Sequence, residues 1–344
     1  MYRLIRYFLF LFSPERAHNI IFLKFKIWRH IPGVKHLISS IYKVRNPKLQ
    51  RTIWGINFPT PVGLAAGLDK NAVAYDFFDA LGFGFMEVGT ATPKPQPGNP
   101  KPRLFRLVKD EAIINRMGFN NLGASVINHN LQKPYRKNLI IGGNIGKNTA
   151  TSNENAALDY EENFKILYDQ VDYFVVNVSC PNVTNLTKLQ NTDSLGEIVD
   201  RLVKYRRTQK TYRPILLKIS PDLSFEQIDD SLNIINRFSL DGIVAVNTTT
   251  ARTGLQEKKD RVDEIGNGGL SGKPLTSRSL EVVRYISKKT NGKLPIIGVG
   301  GIVTVDDALN MLRAGAYLIQ VYTGFIYSGP QFVKDIHKAI IKEF

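Results

Sequence analysis

The segment from Leu294 to Thr323 reads L-P-I-I-G-V-G-G-I-V-T-V-D-D-A-L-N-M-L-R-A-G-A-Y-L-I-Q-V-Y-T, and it indicates the fold class. An apolar run, Leu294–Gly300, precedes a helix-like stretch, Val305–Arg313, and a second apolar run, Tyr317–Thr323, follows. Short apolar runs bounded by glycine are typical of buried strands. A strand, a helix and another strand in this order predict a βαβ unit with parallel strands.

The same alternation extends over most of the chain. Further strands are predicted at Val62–Leu68, Phe83–Thr90, Leu139–Gly146, Tyr173–Ser179, Ile215–Ser220 and Gly242–Asn247. Further helices are predicted at Asn155–Tyr168, Leu195–Thr208, Glu226–Phe238, Leu275–Lys288 and Gln331–Glu343. Eight strands over this length favour an α/β fold of the closed (β/α)₈ TIM-barrel type above an open, doubly wound sheet.

The composition is that of an ordinary globular protein, but the charge is unevenly distributed. The 344 residues are 43% hydrophobic and 22% charged, and the net charge is +16. Residues 1–50 contain ten lysines and arginines against a single acidic residue, Glu15. Candidate partners are therefore a nucleic acid, an anionic membrane or anionic small molecules. The single cysteine, Cys180, rules out an internal disulfide.

Residues 1–45 differ from the rest and predict two short amphipathic helices. Ser13-Pro14-Glu15 is typical of a helix start, and Ile31-Pro32-Gly33 of a helix end. A signal peptide is disfavoured because charged residues follow the apolar run where small residues are expected. A membrane span needs about 20 apolar residues, and Arg16 and Lys24 interrupt any such window. The helices therefore lie in a membrane interface, or they cap the main domain, residues 46–344.

Asparagine and lysine residues occupy the predicted strand ends, where a barrel places its active site. The asparagines are Asn144, Asn177, Asn182 and Asn247, and the lysines are Lys70, Lys147 and Lys218. Carboxamides both donate and accept hydrogen bonds, which suits a ligand with alternating N–H and C=O groups such as a pyrimidine ring. The lysines suit a carboxylate or an anionic reduced flavin. No metal site is predicted, because no histidine, aspartate pair or Cys/His cluster stands there.

Two further features concern ligand binding. Glycines near the seventh and eighth strands are typical of a phosphate site in a barrel. Gly298-Val299-Gly300-Gly301 lacks the third glycine of a dinucleotide fingerprint, so NAD is not implied. The glycine spacing within residues 142–149 also fails the P-loop pattern. A long proline-rich connection, Ala91–Phe119, is expected to have a functional role.

Seven motifs occur in one order along the chain. They are A-A-G-L-D-K (65–70), P-Q-P-G-N-P-K-P-R-L-F-R (95–106), N-R-M-G-F-N-N (115–121), N-I-G-K-N (144–148), N-V-S-C-P-N (177–182), G-G-L-S-G-K-P (268–274) and I-I-G-V-G-G-I (296–302). Together they resemble the dihydroorotate dehydrogenase family over essentially the whole chain. The N-terminal helical segment resembles that of the class that docks on membranes and reduces quinone.

The resemblance implies oxidation of dihydroorotate to orotate in pyrimidine biosynthesis, with FMN as cofactor. FMN would be bound by Ala66, Gly67, Leu68, Asp69, Lys70, Thr90, Asn144, Asn177, Lys218, Val246, Gly272, Gly301, Tyr322 and Thr323. Substrate would be bound by Lys70, Asn115, Arg116, Met117, Gly118, Phe119, Asn177, Asn182, Asn247 and Thr248. Catalysis would fall to Cys180 as base and to Lys218, which stabilises negative charge on the reduced flavin. Quinone would pass near His18, Arg106 and Tyr322.

Two positions depart from the family pattern. Cys180 stands where the quinone class usually has a serine base, and cysteine there is typical of the soluble class. Val246 stands where threonine is frequent. The N-terminal segment nevertheless favours a membrane quinone as acceptor, with a monomer bound peripherally to the cytoplasmic side of the cell membrane and no nucleic-acid partner.

Three alternatives are open. The first is a soluble-acceptor enzyme of the fumarate type. The second is an FMN barrel that reduces uridine in tRNA, for which basic residues would be expected across the barrel mouth. The third is a basic, non-enzymatic membrane scaffold, in which the convergent asparagines and lysines would have no role.

Overall fold

Parallel strands form a closed barrel at the centre of the protein, whose computed structural model describes residues 2–133, 139–179 and 192–344. The chain forms strands β1 (Arg51–Ile53), β2 (Ile56–Phe58), β3 (Val62–Leu64), β4 (Phe85–Ala91), β5 (Leu104–Leu107), β6 (Ala112–Asn115), β7 (Ile140–Ile145), β8 (Tyr173–Asn177), β9 (Ile215–Ile219), β10 (Gly242–Ala245), β11 (Gly269–Gly272), β12 (Ile296–Val299) and β13 (Leu318–Val321). The barrel order is β3-β4-β7-β8-β9-β10-β12-β13, and β13 pairs with β3. The predicted (β/α)₈ barrel is confirmed, and all eight predicted strands are in it.

Helices surround the barrel and follow most of its strands. The chain forms α1 (Tyr2–Phe10), α2 (Pro14–Trp28), α3 (Val34–Tyr42), α4 (Tyr75–Ala80), α5 (Ala124–Leu131), α6 (Ala156–Leu167), α7 (Thr192–Arg207), α8 (Phe225–Phe238), α9 (Lys259–Ile265), α10 (Thr276–Lys289), α11 (Val305–Arg313), α12 (Thr323–Ser328) and α13 (Pro330–Glu343). A continuous apolar core lies between these helices and the outer face of the strands. Burial of the strands on both faces explains their nearly continuous apolar sequences.

A second apolar cluster fills the lower part of the barrel. It contains Phe58, Phe85, Tyr173, Leu216, Val244 and Leu318, all fully buried. The antiparallel hairpin of β1 and β2 closes this end, and the Trp54 indole N–H donates to the Asp241 carbonyl over 2.7 Å. The floor of the barrel is therefore packed, and a ligand has room only at the carboxyl ends of the strands.

A small antiparallel sheet stands beside the mouth of the barrel. It consists of β5, β6 and β11. Two of these strands lie within the long connection from Ala91 to Phe119, which the sequence analysis left without secondary structure. The third, β11, comes from a distant part of the chain and pairs with β6. The connection is thus an ordered wall of the mouth.

The N-terminal segment forms three helices, so the prediction of two was wrong. Val34, Leu37, Ile38 and Ile41 have helical spacing and form α3 directly after Gly33, whose φ of 83° turns the chain into the new helix. The predicted start of α2 at Pro14 is correct, but the Ser13 hydroxyl makes no capping hydrogen bond.

One side of the N-terminal helices packs on the barrel and another side is exposed. Phe25 is buried and stacks on Phe77 with ring centroids 4.7 Å apart, and Arg29 forms an ion pair with the buried Asp76. Large apolar side chains are exposed at Leu4, Ile5, Tyr7, Phe8, Leu11, Phe12, Leu23, Ile27, Ile31, Leu37 and Ile41. Among the described residues, no helix is both long and apolar enough to cross a membrane.

A buried histidine lies at the amino ends of the strands. His337 of α13 is fully buried, and its Nε2 is 2.9 Å from the Thr60 hydroxyl. Its Nδ1 has no hydrogen-bond partner within the described part of the chain. Burial lowers the pKa of His337 to about 4. The folded protein therefore holds this imidazole neutral at a pH where the unfolded chain already binds a proton.

We expect stability to fall as the pH drops from 6.5 towards 4, because the unfolded chain gains a proton that the folded state excludes. Between pH 7.5 and pH 5 the loss should be about 2 kcal/mol. Urea unfolding at the two pH values measures it. The variant His337→Gln should have a flatter pH dependence, whereas His30→Gln, at an exposed histidine, should behave like the parent. Equal slopes for parent and His337→Gln would contradict the assignment.

Candidate active site

A cavity of about 330 Å³ lies at the carboxyl ends of the barrel strands. This size falls in the range of small-molecule sites, about 300–1,000 Å³. The predicted site residues that line it are His18, Ala66, Gly67, Leu68, Asp69, Lys70, Thr90, Asn115, Met117, Gly118, Phe119, Asn177, Lys218, Val246, Asn247, Thr248, Gly272, Gly301, Tyr322 and Thr323. The structure thus brings together residues from seven of the eight strand ends or the loops that follow them, all except β7.

Three of the predicted asparagines form a hydrogen-bonded chain across the mouth. The Asn177 amide donates to Asn144 Oδ1 over 3.2 Å and to the Thr90 hydroxyl over 2.9 Å. The Asn247 amide donates to Asn177 Oδ1 over 3.4 Å and to the Ser179 hydroxyl over 3.0 Å. Asn144 is fully buried and lies behind the cavity wall. Asn144 therefore contacts the cavity lining through Asn177 and Thr90.

Lys218 is the buried cation of the site. Its side chain is 6% exposed, and Nζ is 3.8 Å from Oε2 of the fully buried Glu87. Glu87 also accepts from Asn144 Nδ2 over 3.0 Å and from Gln320 Nε2 over 2.5 Å. A buried ammonium needs a compensating charge, and Glu87 provides one from the layer below the cavity.

Lys70 is a second cation at the cavity, on the loop that follows β3. Its ammonium donates to the Gly67 carbonyl over 2.7 Å. Burial, with a smaller contribution from the charge of Arg103, lowers the pKa of Lys70 to about 8. The neighbouring Asp69 carboxylate accepts from the backbone N–H groups of Val73 and Ala74, each over 2.8 Å. Asp69 therefore holds the loop that presents Lys70.

Two glycines allow the backbone to pack closely at one end of the cavity. Gly301 has a φ of 73°, and a Cβ there would lie 2.2 Å from Cα of Thr276. Gly272 has a φ of 103°, and a Cβ there would lie 2.3 Å from the Glu111 carbonyl oxygen. Both positions require glycine. Thr323 begins α12 nearby, and its hydroxyl is 2.9 Å from that of Ser271.

Helix α2 forms one wall of the cavity. His18 Nε2 donates to the Leu68 carbonyl over 2.8 Å, and the imidazole stacks on Phe22 with centroids 4.1 Å apart. Burial lowers the pKa of His18, which favours the neutral form of the imidazole. Glu15 accepts from Arg103 Nη2 over 2.8 Å, and Arg103 also donates to the carbonyls of Pro97 and Asn99. These contacts join α2 to both the β3 loop and the proline-rich connection.

Some predicted site residues lie outside the cavity lining. Arg116 donates to the Ile265 and Asn267 carbonyls, so its guanidinium ties the 115–119 segment to the end of α9. Arg106 donates to the Phe12 carbonyl over 2.8 Å and lies over the Phe10 ring. Lys147 donates to the Thr151 carbonyl. Cys180 and Asn182 lie outside the described residues.

Several residues of the site were not predicted from the sequence. Glu87 and Gln320 are fully buried polar residues within strands whose other residues, apart from Thr90, are apolar. A charged residue inside such a strand is itself a signal, because burying it requires partners. Glu15, Asn19 and Phe22 also line the cavity, and no motif pointed to them. Among the described residues no group of acidic, histidine or cysteine side chains could hold a metal ion.

A (β/α)₈ barrel with a carboxamide chain, a buried lysine and close-packed glycines at its mouth is built like a barrel enzyme that binds a phosphorylated cofactor. The family model for dihydroorotate dehydrogenase matches residues 48–344. The chain therefore belongs to the dihydroorotate dehydrogenase family.

Individual relatives agree with this assignment. A protein from Christiangramia forsetii named dihydroorotate dehydrogenase (quinone) is 51% identical over 344 residues, covering 100% of this chain and 99% of the relative. One of the same name from Thermosynechococcus vestitus is 47% identical, covering 90% of this chain and 85% of the relative. The crystal structure of the Eimeria tenella enzyme in complex with ferulenol has a TM-score of 0.85 and 38% identity, covering 96% of this chain and 92% of that one.

Proposed function

We propose that the protein oxidises dihydroorotate to orotate through FMN and passes the electrons to a membrane quinone. One observation carries the proposal. In a chain that belongs to the dihydroorotate dehydrogenase family, the carboxamide chain meets Lys70 and Lys218 at a single cavity. The carboxamides suit the amide groups of the pyrimidine ring, and the lysines suit a carboxylate and a reduced flavin.

The described residues fit FMN. Gly272 and Gly301 line the end of the cavity where the phosphate would bind, and Thr323 begins a short helix beside them. Gln320 Oε1 is buried at the cavity without a hydrogen-bond partner in the described part of the chain, so it offers an acceptor to a ligand N–H. Bound FMN supplies a hydride acceptor that quinone can reoxidise. The Lys218 ammonium would stabilise negative charge on its ring.

The substrate would be bound between the carboxamides and the β3 loop. Asn177 and Asn247 would pair with its ring amides, and Lys70 with its carboxylate. Asn115 and Thr248 line the same cavity. Arg116 would contribute by holding the 115–119 segment in place, because its guanidinium is engaged with backbone carbonyls.

Cys180 would take the proton from C5 of dihydroorotate while hydride leaves C6. This assignment rests on the motif N-V-S-C-P-N, which the family resemblance identifies with the base position. Ser179, the residue before Cys180, hydrogen-bonds to Asn177 and Asn247, so the first residues of the motif lie at the cavity. Asn182 would bind substrate from the same motif.

The N-terminal helices, within residues 1–45, would form the membrane contact and the quinone entrance. Their exposed apolar side chains lie among basic residues, as in helices that bind anionic interfaces. His18 and Tyr322 line the cavity near α2, and Arg106 joins α1 to β5. The protein would be a monomer bound to the cytoplasmic side of the cell membrane.

Steady-state turnover tests the proposed function. Purified protein should be yellow, convert dihydroorotate to orotate and reduce a quinone analogue much faster than fumarate. Preference for fumarate would favour the soluble-acceptor class. Protein without flavin, or without orotate formation, would refute the proposal.

Orotate affinity should decrease as the pH rises through about 8, because Lys70 then loses the charge that pairs with the carboxylate. Titration of the bound flavin's absorbance with orotate between pH 6.5 and 9 measures the dissociation constant. The variant Lys70→Met should bind weakly at every pH and lose this dependence. The same slope in parent and variant would remove Lys70 from the substrate site.

Replacing Cys180 with alanine should slow flavin reduction by about 10²- to 10⁴-fold, because proton abstraction loses its base. In the parent, the rate should rise with pH through a thiol-like pKa, near 8.5 for a free cysteine. Cys180→Ser should retain some activity and move the rise to higher pH. Stopped-flow bleaching of the flavin measures these rates, and an unchanged rate in Cys180→Ala from pH 6 to 9 would assign the base to another group.

Charged substitutions on the exposed face of α1 should abolish binding to anionic vesicles. Leu4 and Phe8 are 64% and 55% exposed and one helical turn apart, so Leu4→Glu/Phe8→Glu removes apolar area and adds negative charge. Sedimentation with phosphatidylglycerol-containing vesicles measures binding. The control Leu158→Glu, at a 52% exposed residue of α6, should bind like the parent. Unchanged sedimentation of the α1 variant would show that the membrane contact lies elsewhere.

A further inference from the structure

Glu87 lies in the layer between the apolar floor of the barrel and the cavity. It is fully buried at the centre of β4. Phe85, two residues earlier on the same face of the strand, belongs to the apolar floor. On the cavity side are Asn144, Lys218 and Gln320, which come from three other strands. One carboxylate therefore joins four strands of the closed barrel.

A carboxylate only accepts hydrogen bonds, and this fixes the orientation of the amides around it. Asn144 and Gln320 must turn their NH₂ groups towards Glu87. The Asn144 oxygen then faces Thr90 and Asn177, both of which donate to it. Asn177 in turn presents its own oxygen to Asn247. Glu87 thus fixes which end of each amide donates and which end accepts along the whole carboxamide chain.

Glu87 also accounts for the unpaired oxygen of Gln320. Its NH₂ group is held by Glu87, so Oε1 is the atom left for another donor, and it has no partner within the described residues. A rotated Gln320 would bring an amide N–H to that place. Glu87 therefore decides whether the free end of the Gln320 amide is a hydrogen-bond acceptor or a donor.

Glu87 also sets the charge beneath the cavity. In the part of the chain that the structure describes, Glu87 is the only acidic side chain within ion-pair distance of Lys218. Burial raises the pKa of the neighbouring Tyr173 phenol, and the negative charge of Glu87 raises that pKa further. Without Glu87, Lys218 would be a buried charge with no partner, which is strongly unfavourable.

We propose that Glu87 is a positioning residue of the active site, which orients the carboxamide chain and the Gln320 amide and balances the charge of Lys218. This inference rests on the proposed function for the identity of the ligands. It assigns to Glu87 no direct contact with substrate or flavin. Its effect on the reaction would pass through Lys218, Asn177 and Gln320.

The variant Glu87→Gln separates this role from simple packing, because glutamine has nearly the same shape without the charge. Its NH₂ group would face an NH₂ group of Asn144 or Gln320, so at least one amide must rotate. We expect orotate to bind about tenfold more weakly, because a buried donor or acceptor loses its partner. We also expect a more positive midpoint potential of the bound flavin, because the charge of Lys218 is no longer balanced.

The apoprotein provides a test that needs no flavin. Glu87→Gln should lower the melting temperature by about 5 °C, because it leaves a buried ammonium unpaired. The double variant Glu87→Gln/Lys218→Met should recover most of that loss, and Glu87→Asp should recover part of it. The control Tyr173→Phe removes a buried hydroxyl of the barrel floor that has no hydrogen-bond partner within the described residues, and it should match the parent in melting temperature, orotate affinity and potential.

The outcomes distinguish this inference from the proposed function. If the parent binds no flavin or orotate, the proposed function fails, and the apoprotein cycle still decides whether Glu87 supports Lys218. If the parent behaves as proposed but Glu87→Gln has the parent's orotate affinity and potential, Glu87 is a packing residue and the inference is wrong. Additive losses in the double variant would equally contradict it, because coupled residues are non-additive.

Discussion

The pairing of β13 with β3 closes the barrel, and the arrangement of the site depends on it. Ile319, Gln320 and Val321 stand opposite Val62, Gly63 and Leu64. Closure leaves little space inside: a Cβ on Gly63 would lie 2.4 Å from the ring of Phe85. Because every strand runs in the same direction, closure also gathers all the strand ends, with their polar residues, around one cavity.

The interior of the barrel is arranged in layers of different chemistry. Aromatic and aliphatic side chains form the floor, Glu87 occupies the layer above it, and carboxamides with Lys218 form the base of the cavity. A charge in such a place is stable only with several partners, and Glu87 has three. The cost of breaking any one of these contacts keeps the polar groups in a single arrangement before a ligand binds.

The N-terminal helices connect the wall of the cavity to an exposed apolar surface. Helix α2 lines the cavity with His18 and Phe22, buries Phe25 in the core and exposes Leu23 and Ile27. The wall of the site and the exposed apolar surface therefore belong to one rigid element. In the proposed function, a quinone would pass along this helix from a membrane interface to the cavity. Among the described residues, no helix is long and apolar enough to span a membrane.

The sequence by itself determined the barrel and most of the cavity lining. Parallel strands buried on both faces produce apolar runs that can be recognised locally, and the residues at their ends meet by the rule of the fold. Helix α3 was missed because Ile31-Pro32-Gly33, which is typical of a helix end, comes directly before it, and Gly33 is its N-cap residue. The wall formed by β5, β6 and β11 was missed because Gly269–Gly272 pairs with a strand more than 150 residues earlier. Only the tertiary structure decided that Glu87 faces inward and meets Asn144, Lys218 and Gln320. The physical reason is that these partners are distant in sequence, and closure of the barrel alone brings their side chains within reach of one carboxylate.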